Sequence, residues 1–460
     1  MMPRVTNPAD LGVVDAAAQL SRRDLSSREL VEACLARIRE RDGVHSHEGD
    51  PASVNAWVRV YEEDALAAAG LADARLAGGD APPLCGVPVG LKDLFAVAGK
   101  PLTASSRLLD EVPARDSDLW ARLAAAGMVL LGHVHTHEFA VGGTTDQVGN
   151  PWALDRSPGG SSGGSAAALA AGMTPAATGT DTAGSLRIPS ALCGTSTLKP
   201  SRGLTSLRGA VPLAPTLDHA GPMARTPADC APLLAALFGL PGPLPAGRTL
   251  SELRLAVSPR IRLVELDADV AAGFDGALAA CRRLGAELVE PPPPEAPLDV
   301  GDDFIAVVLA ELLTYHRRFD AQRELYRPSL REWVEHAEAQ ALSAEAYLAA
   351  QARRAETTFA WADWLAAHRI DAVLEPTVPV VAPLRGDGYD HAFTDAALIS
   401  LTHYWDWTGF PVAALPAGVG ARSGLPVGVS LIGPPGHDFE VLAAAVELHA
   451  ELGPTTVAWS

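Results

Sequence analysis

Two serines in glycine-rich turns, 24 residues apart, are the residues of this 460-residue chain whose type and spacing most directly suggest chemistry. Ser161 lies in GGSS and Ser185 in TAGS, within SPGGSSGGSAAALAAGMTPAATGTDTAGSLRIPSALCG, residues 157–194. Such glycines could hold a phosphate, because backbone N–H groups before a helix bind anions. The companions of that use are missing: no Lys-Ser/Thr pair follows, and the spacing is not GxGxxG. A flexible linker does not fit either, since an Ala/Leu-rich run with the character of a buried helix follows at once. Geometry favours a different use. A helix over 164–171 advances roughly 12 Å at about 1.5 Å per residue, and Gly172 can end it in the left-handed cap conformation. A strand over about 175–179, at about 3.3 Å per residue, covers a similar distance back. TDTAGS (180–185) then lies close to GGSS (159–162). The glycines let backbone approach backbone with N–H groups exposed, as a tetrahedral oxyanion requires.

A serine hydroxyl is a poor nucleophile until a base takes its proton. Of the 36 basic residues only Lys92, Lys100 and Lys199 are lysines. A chain that prefers Arg wherever charge suffices points, in a retained lysine, to a task Arg cannot perform, such as losing a proton. Lys92 sits at the C-terminal end of a short apolar strand within PPLCGVPVGLKDLFAVAG (82–99). His133, His135 and His137 offer a rival chemistry. Period-2 spacing on a strand would point all three to one face, and HxH pairs are familiar metal ligands. The further His and carboxylate such a centre needs are not evident, and HEFAV is not HExxH. Metal catalysis is therefore not expected, and a histidine lining a cleft is the other reading.

The elements that must position these residues alternate along the chain. LSSRELVEACLARIRERDG (25–43) opens with a capping box, Ser26 to Glu29, and continues as an amphipathic helix. A polar loop (44–53), a helix over about 61–77, a helix over 116–127 and a buried strand from 128 follow. Pro-punctuated loops come after residue 199, then a helix over about 227–239 and a break at 239–247. LRLAVS, a helix over about 267–284 and AELVE form a β-α-β unit. PPPPEAP (291–297) reads as polyproline II. Helical patterns then run to about 367, with Trp333, Phe359, Trp361 and Trp364 as apolar anchors. Strands DAVLEP, PVAALPAG and LPVGVSLIG and a helix near 438–451 close the chain. This alternation predicts an α/β fold.

Composition excludes other classes. Hydrophobic residues make up 48 % and charged residues 20 %, ordinary for a globular protein. The net charge of −19 disfavours nucleic acid and anionic membrane as partners, and no apolar run is long enough for a membrane span. Cys34, Cys85, Cys193, Cys230 and Cys281 are scattered and lack CxxC spacing, as expected of reduced thiols in a cytoplasmic protein. MMPRVTNPADLG has no apolar leader core.

GGSSGGSAAA followed by GTDTAGSLRIPSALCG closely resembles the signature of the amidase signature family of serine hydrolases. GVPVGLKDLFAVAG matches the family's lysine strand, HEFAVGG and NPWALDRSPGG its middle segments, and GLPVGVSLIG its C-terminal strand, so the likeness covers roughly residues 12–455. The resemblance implies a central mixed, twisted β-sheet covered by helices on both faces. It implies one domain over 1–460, with a signature core at about 82–230 and a helical substrate-facing segment at about 298–365. It makes Ser185 the nucleophile, Lys92 the base, and Ser161, in a cis peptide, the relay between them. The oxyanion hole would be the backbone N–H groups of Thr182, Ala183, Gly184 and Ser185. Asp181 and Arg187 would support the loop, and Lys199 would be structural. Ala183 stands where the family usually has glycine, and a residue held at positive φ would not tolerate that change easily. Trp405, Asp406 and Trp407 precede a segment like one near the family's substrate cleft. Their rings either line a substrate pocket or pack in the core.

The reaction so implied is hydrolysis of a small-molecule carboxylic amide to an acid plus ammonia or an amine, with no metal or organic cofactor. Lys92 must then be neutral, its pKa lowered by burial from about 10.4 towards 7–8. An alternative is the glutaminase-type component of a tRNA-dependent amidotransferase. Those components usually carry a tyrosine-containing block after the KP pair, and KPSRGLTSLRGAVPLAPTLDHAGP lacks it. Ala183 also allows a catalytically silent amidase-like protein. Which amide is bound stays open, and so does assembly, a homodimer included.

Overall fold

A computed structural model describes residues 7–240 and 242–455. Part of the N-terminal reading (residues 1–6) and residue 241 of the 239–247 break lie outside them. Strands β1 (Trp57–Val60), β2 (Pro88–Lys92), β3 (Val129–Val134), β4 (Ala176–Asp181), β5 (Ser196–Lys199), β6 (His219–Ala224), β7 (Arg254–Val257), β8 (Glu287–Val289), β9 (Ala372–Pro376), β10 (Val412–Val419) and β11 (Pro426–Ile432) form one sheet. Its order is β1-β3-β2-β4-β6-β5-β10-β11-β9-β7-β8. The pairs β2/β3, β2/β4, β7/β8 and β7/β9 are parallel and the others antiparallel, so the sheet is mixed. With its helices this is the α/β fold expected.

Local signals place most helices well. Ser26 and Glu29 form the capping box of the helix Ser27–Arg41. Ser117 caps Asp118–Ala125, and Thr226 caps Pro227–Phe238, which Gly239 ends at φ +70°. The β-α-β unit is present as β7, the helix Ala268–Arg283 and β8.

Three readings need correction. The stretch read as Pro-punctuated loops contains β6, a central strand. HAGPMA resembles a loop because Gly and Pro weaken a strand, yet all six residues are buried and pair with β4 from Ala176↔Ala224 to Asp181↔His219. Gly221 is required there, since a Cβ would meet Leu198 O at 2.4 Å. Phe359 does not anchor the helix Ala344–His368; it is 69 % exposed, while Trp361 and Trp364 supply the buried face. The helix Val13–Arg22, absent from the sequence reading, packs Val13, Ala16 and Leu20 inward.

The sheet separates two apolar layers. One holds the N-terminal helices, Pro227–Phe238 and Ala268–Arg283. The other lies under the helical segment 301–368, where Trp361 donates to the Tyr404 hydroxyl (2.7 Å) and meets Trp405 edge-on. Parallel strands leave their carboxyl ends on one side of the sheet, where α/β folds commonly place ligands. Lys92 and Asp181 are the last residues of β2 and β4.

Candidate active site

The helix Gly163–Ala170, the turn at Gly172 (φ +68°) and β4 fold back as a hairpin. The geometry argued from residue rises is realised: Ser162 N–H donates to Ser185 O at 3.2 Å, joining the two serine turns. The Gly160–Ser161 peptide is cis. His137 N–H donates to Ser161 O at 2.9 Å, and a Cβ on Gly160 would fall 1.9 Å from Thr144 O, so only glycine fits. In the second turn the positive φ falls on Gly184 (+131°) and not on Ala183. The departure at Ala183 therefore carries no left-handed backbone with it.

Parallel pairing with β4 sets the end of β2 beside this hairpin. Lys92 is fully buried, and its Nζ contacts Ser161 Oγ (2.7 Å), Thr180 Oγ1 (2.8 Å) and Ser162 Oγ (2.9 Å). Burial holds its pKa well below the ordinary value, against the opposing pull of Asp181 and Asp218. A neutral amine has two hydrogens and one lone pair, so one of the three hydroxyls must donate to it. Ser162 directs its hydrogen to Thr180 O (3.3 Å). That leaves Ser161 or Thr180 as the donor into the lone pair, and Ser161 is the one beside the second serine turn.

The turn carrying Ser185 is held from behind. Asp181 accepts from Gly184 N (2.5 Å), Leu186 N (3.2 Å) and both Arg187 Nε (2.9 Å) and Nη2 (3.1 Å). Gly184 thus spends its N–H on Asp181, so of the four N–H groups expected at an oxyanion hole those of Thr182, Ala183 and Ser185 are the ones not committed to it. Arg187 also donates to Asp406 Oδ2 (2.6 Å) and Thr402 O (3.0 Å), all of it buried. Breaking a buried pair leaves uncompensated charge, so Arg187→Met is expected to lose about 3–5 kcal/mol. Denaturant unfolding of the variant beside the native protein measures it.

Ser185 and Thr182 line a largely apolar cavity. Val141, Ile188 and Leu213 line it together with Phe304, Ile305, Val308 and Trp333 of the helical segment. Among the described residues lining it, Asp395 is the one charged group; it accepts from Gly143 N–H, and burial raises its pKa.

Other candidates settle elsewhere. Trp405 and Trp407 are core residues, Trp405 donating to Glu375. Asp406 is the part of that stretch that reaches the site, through Arg187. Lys199 is buried at the end of β5, donates to Pro200 O (3.1 Å), and is pushed down to about 7 by burial.

The three histidines do not converge on one site. β3 ends at Val134, and each ring has its own partner: Tyr61 OH for His133 (2.8 Å), Ser105 Oγ for His135 (3.1 Å), Thr144 O for His137 (3.0 Å). Burial pushes His135 and His137 down to about 3. Among the described residues no group of three His, Cys, Asp or Glu side chains is placed to hold a metal ion. Turnover is therefore expected to stay within about twofold after exhaustive treatment with EDTA. Inactivation reversed by zinc would contradict this.

Ser162, Thr180 and Asp218 were missed in the sequence, and Asp406 was picked out there only with its neighbours Trp405 and Trp407 and without its link to Arg187. Ser162 had a visible signal, its adjacency to Ser161; the others are brought in by strand pairing or from distant segments.

With this geometry in place, comparison with known proteins is informative. The amidase family model matches residues 29–442. The A component of the glutamyl-tRNA(Gln) amidotransferase of Anaeromyxobacter dehalogenans is 36% identical, with 96% of each chain covered. A solved amidase structure superposes with a TM-score of 0.84 at 31% identity, covering 96% of this chain and 100% of that one. The structure of the corresponding amidotransferase component from Thermotoga maritima gives 0.76 at 27% identity, covering 96% and 94%. No helix among the described residues is long and apolar enough to cross a membrane. The chain belongs to the amidase signature family, whose members are hydrolases of carbon–nitrogen bonds.

Proposed function

We propose that the protein hydrolyses a small carboxylic amide through an acyl-serine, with Ser185 as nucleophile, Ser161 as relay and Lys92 as base. The observation that carries this reading is the buried, hydroxyl-caged Lys92 at the joined serine turns. Ser185 Oγ attacks the carbonyl carbon while its proton passes through Ser161 to Lys92 Nζ. The backbone N–H groups of Thr182, Ala183 and Ser185 receive the oxyanion. The C–N bond then breaks, and the nitrogen leaves as ammonia or an amine with the proton returned from Lys92. Water deprotonated along the same path attacks the acyl-serine, releasing the acid and restoring the Ser185 hydroxyl.

The apolar cavity supports an uncharged acyl group, and Asp395 offers an acceptor to a substrate N–H. The second reading, a glutaminase-type component of a tRNA-dependent amidotransferase, is favoured by the curated relatives, which weigh against the missing-tyrosine argument. Glutamine would place its ammonium near Asp395, but its carboxylate would meet no cation among the described residues lining the cavity. The TM-scores also lean towards the amidase structure.

Ammonia or amine release from a panel of aliphatic, aryl and ureido amides, with glutamine included, separates the readings. Neutral amides are expected to exceed glutamine in kcat/KM by about tenfold or more, the effect of leaving a carboxylate unpaired. Preferred turnover of glutamine with co-purifying partner proteins would establish the second reading. No turnover and no labelling of Ser185 by a serine-directed probe would mark a silent protein.

A further inference from the structure

A buried carboxylate that the proposed reaction does not use stands beside it. Asp218, just before β6, accepts from Thr182 Oγ1 (2.6 Å), Ala214 N (3.1 Å) and Leu213 N (3.0 Å). Two of these donors, Thr182 and Leu213, belong to residues that line the substrate cavity. One side chain therefore ties the first residue of the nucleophile turn to another residue of the cavity lining. Asp218 also lines, with Thr180, a second small cavity that shares Ala140 and Leu213 with the first. Thr180 in turn touches Lys92 Nζ.

The charges around Lys92 differ in how they are committed. Asp181 is paired with Arg187, which it shares with Asp406. Among the described residues no Lys, Arg or His side chain pairs with Asp218, and the further charge facing it is Glu311 of the helix Gly301–His316. Lys92 itself contacts three hydroxyls and no carboxylate. When it takes the serine proton, a positive charge appears in a buried site, and Asp218 is a nearby carboxylate to which no cation is paired among the described residues.

Resting on the acyl-serine reading, we propose that Asp218 is a positioning residue with two effects. It braces the nucleophile turn against the substrate wall, and its charge steadies Lys92 once the proton has arrived. Burial raises the Asp218 pKa to about 6, so it is charged at neutral pH and loses that charge in mild acid. An anion near Lys92 raises the affinity of the amine for its proton. Removing the anion keeps Lys92 deprotonated to lower pH, so the acid limb of the rate profile moves down.

The test is kcat and kcat/KM against pH for the native protein, Asp218→Asn and Thr182→Val on the best amide of the panel, with thermal melts to verify folding. Asp218→Asn is expected to lower kcat about tenfold or more and to move the acid limb down by about 0.5–1 unit. Thr182→Val breaks the tether and leaves the carboxyl in place, but it also removes a hydrogen bond that holds the Asp218 pKa down, so part of the charge is lost on the acid side. It is expected to lower kcat by about three- to tenfold, one lost hydrogen bond to a charged group, with the limb moving down less than in Asp218→Asn. A limb that moves no further in Asp218→Asn than in Thr182→Val, or that moves in neither, overturns the electrostatic effect, and an unchanged kcat in Thr182→Val overturns the brace. Should Asp218→Asn fail to fold, Thr182→Val still decides the brace. The pH dependence of serine-probe labelling in Asp218→Ser then decides the charge effect, an unmoved limb overturning it. Absence of Ser185 labelling in the native protein would instead remove the acyl-serine reading.

Discussion

Ser185→Ala is expected to lower amide turnover by about a thousandfold or more while leaving the fold intact. The substitution removes one oxygen, from a side chain that lines the cavity. The backbone contacts that shape the turn survive: Ser162 N–H still meets the carbonyl of residue 185, and Asp181 still holds Gly184 and Leu186. Thermal unfolding should therefore stay close to native while ammonia release collapses and probe labelling disappears. A variant retaining more than about a hundredth of the native rate would sink the nucleophile assignment, since loss of a covalent nucleophile costs far more than that.

Lys92→Arg should be nearly as damaging as Lys92→Ala, each losing about 10²–10⁴-fold in kcat/KM. A lysine needed only for its charge would tolerate Arg well. A base must give up its proton near neutral pH, and a guanidinium with a pKa above about 12 does not. Burial already holds Lys92 well below its ordinary value, so the amine is the form that dominates as pH rises. As pH falls through its lowered pKa, Lys92 becomes protonated and the native rate should drop on the acid side. Rate–pH profiles of the native protein and both variants check this. Near-native activity in the Arg variant would remove Lys92 as base.

Much of the site was legible because it is local. The Ala-rich helix, Gly172 and β4 lie within one 38-residue stretch, and fixed rises per residue are enough to return Ser185 to Ser161. Lys92 stood out through the scarcity of lysine. The β-α-β unit and the capped helices Ser27–Arg41 and Asp118–Ala125 were visible because periodicity and caps act within a few residues. Beyond these, family resemblance assigned the roles, and it also marked Ala183 as a departure without showing where the positive φ falls.

The remainder depends on contacts between residues far apart in the chain. β6 looks like a loop by composition and is a strand because β4 and β5 pair with it on both sides. Phe359 looks like a core anchor and faces out because the helix Ala344–His368 buries Trp361 and Trp364 instead. Asp406 reaches Arg187 across 219 positions, and part of the cavity that Ser185 lines comes from residues beyond 300. Sequence by itself determined which groups could react and the hairpin that joins the two serines, because backbone geometry and residue chemistry are short-range. Only the tertiary structure decided which hydroxyls cage Lys92, which N–H groups stay available and which carboxylates stand nearby. A buried polar group takes whichever partners the packed sheet brings within hydrogen-bond distance, whatever their separation in sequence.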